Sequence, residues 1–188
     1  MIRLHAFALI LLVGTVRAFA QPAMAIEDTV AGITVGKSTL ADVQRMFGTK
    51  LALYEGRHGV RWDGACEIFF DLEDKGTEKP SSLVENIQLL NLGKGADKNS
   101  PCNRIATGRG LRLSDSPNRV RALYGPANTF VRNNMVSVGY NSKPRCPQGS
   151  KKAVVFRNMG VEWVPGSQEL HDIDLGITKT DCSELTAE

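Results

Sequence analysis

A segment near the amino terminus, Gly32 to Gly48 (GITVGKSTLADVQRMFG), is written a second time as Gly110 to Gly125 (GLRLSDSPNRVRALYG). Each copy opens with a glycine and an alternating triplet, Ile33-Thr34-Val35 or Leu111-Arg112-Leu113. Each then offers a hydroxyl N-cap, Thr39 or Ser116, ahead of a short amphipathic run. Thr39 and Asp42 have capping-box spacing, and Pro117 stands at a first helical position, where its missing N–H costs nothing. Val43, Met46 and Phe47 match Val120, Leu123 and Tyr124 as a stripe on one helical face. Gly48 and Gly125 are placed to end the helices, since glycine accepts positive φ. The offset is 77 residues at Val43/Val120, Phe47/Tyr124 and Gly48/Gly125, and again at Val84-Glu85 and Val161-Glu162.

The cysteines carry the same signature. Cys66 and Cys102 are 36 residues apart, and so are Cys146 and Cys182. Such a chain reads as a tandem duplication, residues 28–104 and 105–183. Four cysteines allow three pairings, and duplication favours the one that treats both halves alike: Cys66–Cys102 and Cys146–Cys182. Closing loops of this length stabilises by roughly 3–4 kcal/mol in the chain-entropy model. A four-cysteine metal site needs close Cys-x-x-Cys pairs, which the sequence lacks.

Residues 1–20 read as a signal peptide. Arg3 supplies a positive start, Ala6 to Val16 is too short to span a bilayer, and Ala18-Phe19-Ala20 is a small-x-small cleavage site. Cleavage after residue 25 is the alternative. The expected localisation is periplasmic or secreted, with no integral membrane span in the mature chain. Loss of Arg3 and Arg17 takes the formal charge from +3 to +1. A nearly neutral chain with no long basic run gives no electrostatic footprint for nucleic acid. About 168 mature residues make one domain or two small ones.

The remainder of each half is patterned as strands: 51–54, 59–62, 67–72 and 83–92 in the first, and 129–132, 135–140, 153–157, 161–164 and 170–175 in the second. Asn133-Asn134 has hairpin-turn chemistry. The stretch 93–110 has the composition of a linker. The expected fold is α+β: two tandem repeats, each a short helical segment followed by a three- to four-stranded antiparallel sheet, with the helices on one face.

This arrangement resembles the superfamily that joins the β-lactamase inhibitory proteins to the SmpA/OmlA outer-membrane assembly lipoproteins. The resemblance rests on Gly32, Thr39, Val43, Met46, Phe47 and Gly48 and on Gly110, Ser116, Val120, Leu123, Tyr124 and Gly125, each set followed by strands. It implies paired sheets presenting a concave surface with aromatics, and one disulfide in each repeat. The lipoproteins have a single repeat and a lipidated cysteine, and this chain matches neither condition. No loop here matches the inhibitory loop by its residues, so that target does not transfer.

Ala31 to Ser38 fits a loose phosphate-loop pattern, which would place Lys37 on phosphates and Ser38 on magnesium. Its context is wrong: the preceding residues 26–30 include Glu27 and Asp28 and are no buried parallel strand, and the second copy has no lysine here. No nucleotide binding and no cofactor are expected. His58, beside Gly59, reads as a hairpin-turn residue, and His171 shares a strand face with neither Asp172 nor Asp174. No serine lies in a nucleophile elbow. Asp71, Glu73 and Asp74 lack the glycine-containing spacing of a calcium loop and read as a solvated turn. No catalytic residue or metal ligand is assigned, and the chain is not expected to be an enzyme.

The aromatic residues are the binding candidates: Tyr54, Trp62, Tyr140 and Trp163. Alternation places Trp62 with Val60 and Tyr140 with Val138, both core-like faces. The functional expectation is an exported, non-catalytic, inhibitor-like module that recognises an envelope or extracellular protein through an open sheet face and hairpin loops. The alternatives are an envelope assembly or structural factor, or a small secreted hydrolase or ligand-binding protein.

Overall fold

The computed structural model describes residues 26–54, 56–62, 65–93, 101–142, 146 and 153–182. The signal-peptide reading, on residues 1–20 with its alternative cut after 25, lies outside them. In chain order the elements are β1 (Thr29–Val30), β2 (Ile33–Thr34), α1 (Leu40–Phe47), β3 (Ala52–Tyr54), β4 (Arg57–Trp62), β5 (Cys66–Leu72) and β6 (Val84–Asn91). There follow a short 3-10 turn (Pro101–Arg104), α2 (Pro117–Tyr124), β7 (Asn128–Arg132), β8 (Met135–Asn141), β9 (Ala153–Trp163) and β10 (Asp172–Asp181).

The expected pair of helix-plus-sheet repeats is overturned. The described chain is mostly β, with a small β1–β2 ribbon, two eight-residue helices and one eight-stranded antiparallel sheet in the order β3-β4-β5-β6-β10-β9-β8-β7. The last strand of each half pairs with the other, from Asp172↔Leu90 to Gly176↔Asn86. The physical reason lies in the two strands themselves. Ile87 and Leu89 on β6, and Ile173 and Leu175 on β10, are wholly buried on the same face. Left apart, each half would expose a row of unpaired backbone groups beside that apolar stripe; joined, they share one ladder and one core.

The helices cover one face of this sheet. Phe47 of α1 meets Trp62 edge-on at 6.4 Å and Phe70 at 5.4 Å, and Tyr124 of α2 packs on Tyr140 at 5.6 Å. In α1, Asp42 N–H donates to Thr39 Oγ1 (3.3 Å) and Thr39 N–H donates to Asp42 Oδ2 (2.8 Å), completing the capping box. Ser116 caps α2 only through its backbone, because position three of that helix is Arg119, with no carboxylate to reciprocate. Met46 is exposed, so the apolar stripe of α1 narrows to Val43 and Phe47.

Other sequence readings need local correction. The strands expected at 153–157 and 161–164 are one strand, β9, because Gly160 keeps an ordinary extended backbone and pairs with Asp174 and Gly139. The strand expected at 170–175 begins at Asp172 and continues through Gly176 to Asp181. His58 is not in a turn: it pairs with Leu53 within β4, on the helix-covered side. The described part of the 93–110 linker is built into the core, with Ile105 buried and Val30 bridged to Thr107. Cys66–Cys102 and Cys146–Cys182 are both disulfide-bonded, and among the described residues no helix is long and apolar enough to cross a membrane.

Candidate functional site

Strand register decides what the uncovered face presents. On β4 and β5, Arg57 and Gly59 face outward beside Asp71 and Phe69; on β6 they are joined by Asn86 and Gln88. Across the seam the same row continues through Asp172 and Asp174 of β10, Glu162 and Gly160 of β9, then Ser137 and Gly139 of β8. These side chains alternate with the buried apolar residues of the same strands, so one pattern builds the core and the open face together.

Arg57 organises the first half of this face. Its Nε donates to Asp71 Oδ1 (2.9 Å), Nη1 to Gln88 Oε1 (2.7 Å) and Nη2 to Asn86 Oδ1 (3.4 Å), while the guanidinium lies over the Phe69 ring at 4.9 Å. Tyr54 closes on the same ring edge-to-face at 5.8 Å. Gly59 is required beneath it: a Cβ there would fall 2.7 Å from the Phe69 ring and 2.9 Å from the Ile68 carbonyl. The network then crosses the seam. Asn86 Nδ2 donates to Asp174 Oδ1 (2.8 Å) and Gln88 Nε2 to Asp172 Oδ2 (2.7 Å).

The second half has a gap in its side chains. Gly139 and Gly160 stand opposite one another on neighbouring strands, neither with positive φ. A Cβ at Gly139 would meet nothing within 4 Å, and one at Gly160 only the Asp174 Cβ at 3.7 Å. Neither backbone geometry nor crowding calls for glycine, and glycine inside a strand weakens it; such positions mark close approach by something else. Between this floor and Arg57 lies a cavity of about 550 Å³, whose lining includes Asp71, Gln88, Gly160, Glu162, Asp172 and Asp174.

Charge is divided unevenly along it. Arg57 and Lys75 both pair with Asp71, at 2.9 and 4.0 Å. No described lysine or arginine forms an ion pair with Asp172, Asp174 or Glu162; Glu162 accepts from Ser137 Oγ (2.6 Å). Burial pushes the Asp172 carboxyl up to about 7, with the carboxylates of Asp174 and Glu162 adding to the rise. Asp174 is raised by the same burial, opposed by its bond from Asn86. Asp172 is only 8 % exposed, and its Oδ1 has no hydrogen-bond partner.

Of the sequence-chosen aromatics, only Tyr54 belongs to this face. Trp62, Tyr140 and Trp163 pack partly buried against the core on the helix side, Trp163 beside Tyr140 in a smaller cleft bordered by α2. The four are not brought together. His171 is exposed just before β10, while His58 Nε2 is buried without a partner on the opposite face from the cavity. In the phosphate-loop look-alike, the amides of Gly36, Lys37 and Ser38 donate to Val84 O, Thr34 O and Thr34 O, so they are spent inside the fold. Asp71 is part of β5; Glu73 and Asp74 follow in the turn, and no group of acids, histidines or cysteines among the described residues could hold a metal ion.

The residues that sequence reasoning missed are Arg57, Asn86, Gln88 and the glycine pair. Their signal was present as alternation, Asn86-Ile87-Gln88-Leu89 echoing Asp172-Ile173-Asp174-Leu175, but only the pairing of β6 with β10 makes the two sets neighbours. The chain matches no protein-family description, no curated protein and no solved structure.

Proposed function

We propose that this chain is an exported, non-catalytic binding module, periplasmic or secreted, that recognises a protein partner through the open face of its sheet. The observation that carries the reading is the uncovered centre of that face, where a side-chain network already fixed by Arg57 borders a glycine floor that nothing in the fold requires. A surface whose polar groups are held before contact loses little side-chain freedom on binding. The two disulfides suit an oxidising compartment.

The contact side is testable by position-specific photo-crosslinking in an envelope extract. A crosslinking residue at Tyr54 or Gly139 should give a defined protein adduct, and one at Met46 or Arg121 on the helix side should not. Adducts from the helix side alone would overturn the open-face reading. One observation favours a second reading, a small hydrolase: a carboxyl titrating near neutrality beside a second carboxyl is what general acid–base chemistry uses. Turnover of ester, glycoside or peptide substrates, lost in Asp172→Asn and in Asp174→Asn, would establish that reading over the first.

A further inference from the structure

Resting on the open-face reading, we infer that the trough between Asp172, Asp174 and Glu162 is a receptor for one guanidinium or alkylammonium group, carried on an aliphatic stem laid over Gly139 and Gly160.

Three independent features converge on that chemistry. First, none of these acids is in an ion pair with a described lysine or arginine: Arg57, whose charge reaches Asp172 and Asp174 from across the face, and Lys75 are both paired with Asp71 at the other end. Second, Asp172 lines the cavity while nine-tenths buried, with Oδ2 satisfied by Gln88 and Oδ1 unsatisfied. A buried carboxylate oxygen without a donor is costly to leave so, and a charged donor removes the cost most fully. Third, the floor beside it is backbone alone on two adjacent strands, which gives an extended methylene stem a surface to lie on. No three acids among the described residues are close enough to hold a metal ion. A bare ion is therefore a poorer fit than a broad hydrogen-bonding cation that reaches several carboxylates at once.

The electrostatics set a direction with pH. Asp172 faces Glu162 from β9, Asp174 on its own strand, Arg57 from β4 and Asp71 beyond it; its proton is shed around pH 7. Cation affinity should accordingly rise from pH 5.5 to pH 8, as Asp172 ionises.

The test uses the oxidised chain from Gln21 onward, with amide chemical shifts of Gly139 and Gly160 as the reporter. The probes are a cyclic peptide with one arginine at its tip, the same peptide with citrulline in that place, and spermidine. The arginine peptide should shift both glycine amides and bind at least about tenfold more tightly than the citrulline peptide, which keeps the shape and loses the charge. Asp172→Asn and, independently, Gly160→Val should each weaken the arginine peptide about tenfold, with the remaining amide spectrum intact. A tighter fit of the peptide than of spermidine assigns the cation to a protein side chain; the reverse assigns it to a free polyamine, and either supports the cation site. Equal binding of the citrulline peptide, with shifts at both glycines, would overturn the cation inference while leaving the open face as a binding surface. Arginine-peptide binding undiminished in Asp172→Asn, or no shift at either glycine with any probe, would overturn it as well. The crosslinking experiment decides the open-face reading separately.

Discussion

Asp172 is where stability and binding pull against each other. Its carboxyl titrates at about 7 in the folded chain, against roughly 4 when unfolded. Between those values the folded state holds a proton that the unfolded state has released. Stability should therefore be full below about pH 4, fall by about 1.4 kcal/mol per pH unit, and level off above about pH 7. Asp172→Asn keeps the acceptor for Gln88 and removes the charge. It should flatten this slope and raise stability at pH 8, by at most about 4 kcal/mol. Chemical denaturation of both proteins across that range is the measurement; parallel profiles would show that Asp172 is ionised at no cost. Lys37 is the contrasting residue. Since the neighbouring amides bond inside the fold, Lys37→Ala should change stability by no more than about 0.5 kcal/mol. Calorimetry with ATP should give no heat of binding, and saturable binding lost in that variant would contradict the assignment.

At the scale of elements, the two helices look alike in sequence and differ in how they begin. Thr39 has a reciprocal partner in Asp42, and Ser116 has none. Thr39→Ala should cost about 1 kcal/mol and Ser116→Ala only a few tenths, read from denaturation midpoints. Equal losses would mean that the reciprocal bonds carry no weight. The helices, their closing glycines and the Asn133-Asn134 turn were legible because each is a local event: a cap, a φ value, a two-residue reversal. Asn133 and Asn134 adopt φ of 51° and 59°, as their identity foretold. What could not be read were contacts between strands far apart in the chain. Gly160 and Gly176 look like interruptions in a linear reading, yet both lie inside continuous strands, held there by partners on each side. Among the aromatic candidates, alternation with Val60 and Val138 sets Trp62 and Tyr140 on core-like faces, and there they pack; for Trp163, flanked by Glu162 and Val164, alternation names no side, and only the helix-covered core beside it does. The open face, for its part, draws on all eight strands, from Tyr54 of β3 to Phe130 of β7, and its centre is made where β6 meets β10, strands far apart in the chain.

For the whole molecule, the seam between β6 and β10 is what makes one body of two similar halves. Residues 26–104 and 105–188 expressed separately should each aggregate or self-pair through the uncovered strand. Refolded together under oxidising conditions, they should give a single 1:1 complex by size-exclusion chromatography, each keeping its own disulfide. Two stable, soluble monomers would mean that the seam is dispensable. The strand order also has a consequence in time. A ribosome delivers β3 through β6 first and β7 through β9 next, and leaves the strand that must stand at the middle of the sheet until last. Until residues 172–181 have emerged, the nascent chain carries two half-built sheets with open inner edges, and no amount of waiting can close them. A message cut short by only a few codons beyond residue 170 would thus yield not a slightly shorter protein but two sticky halves, a natural target for proteolytic clearance.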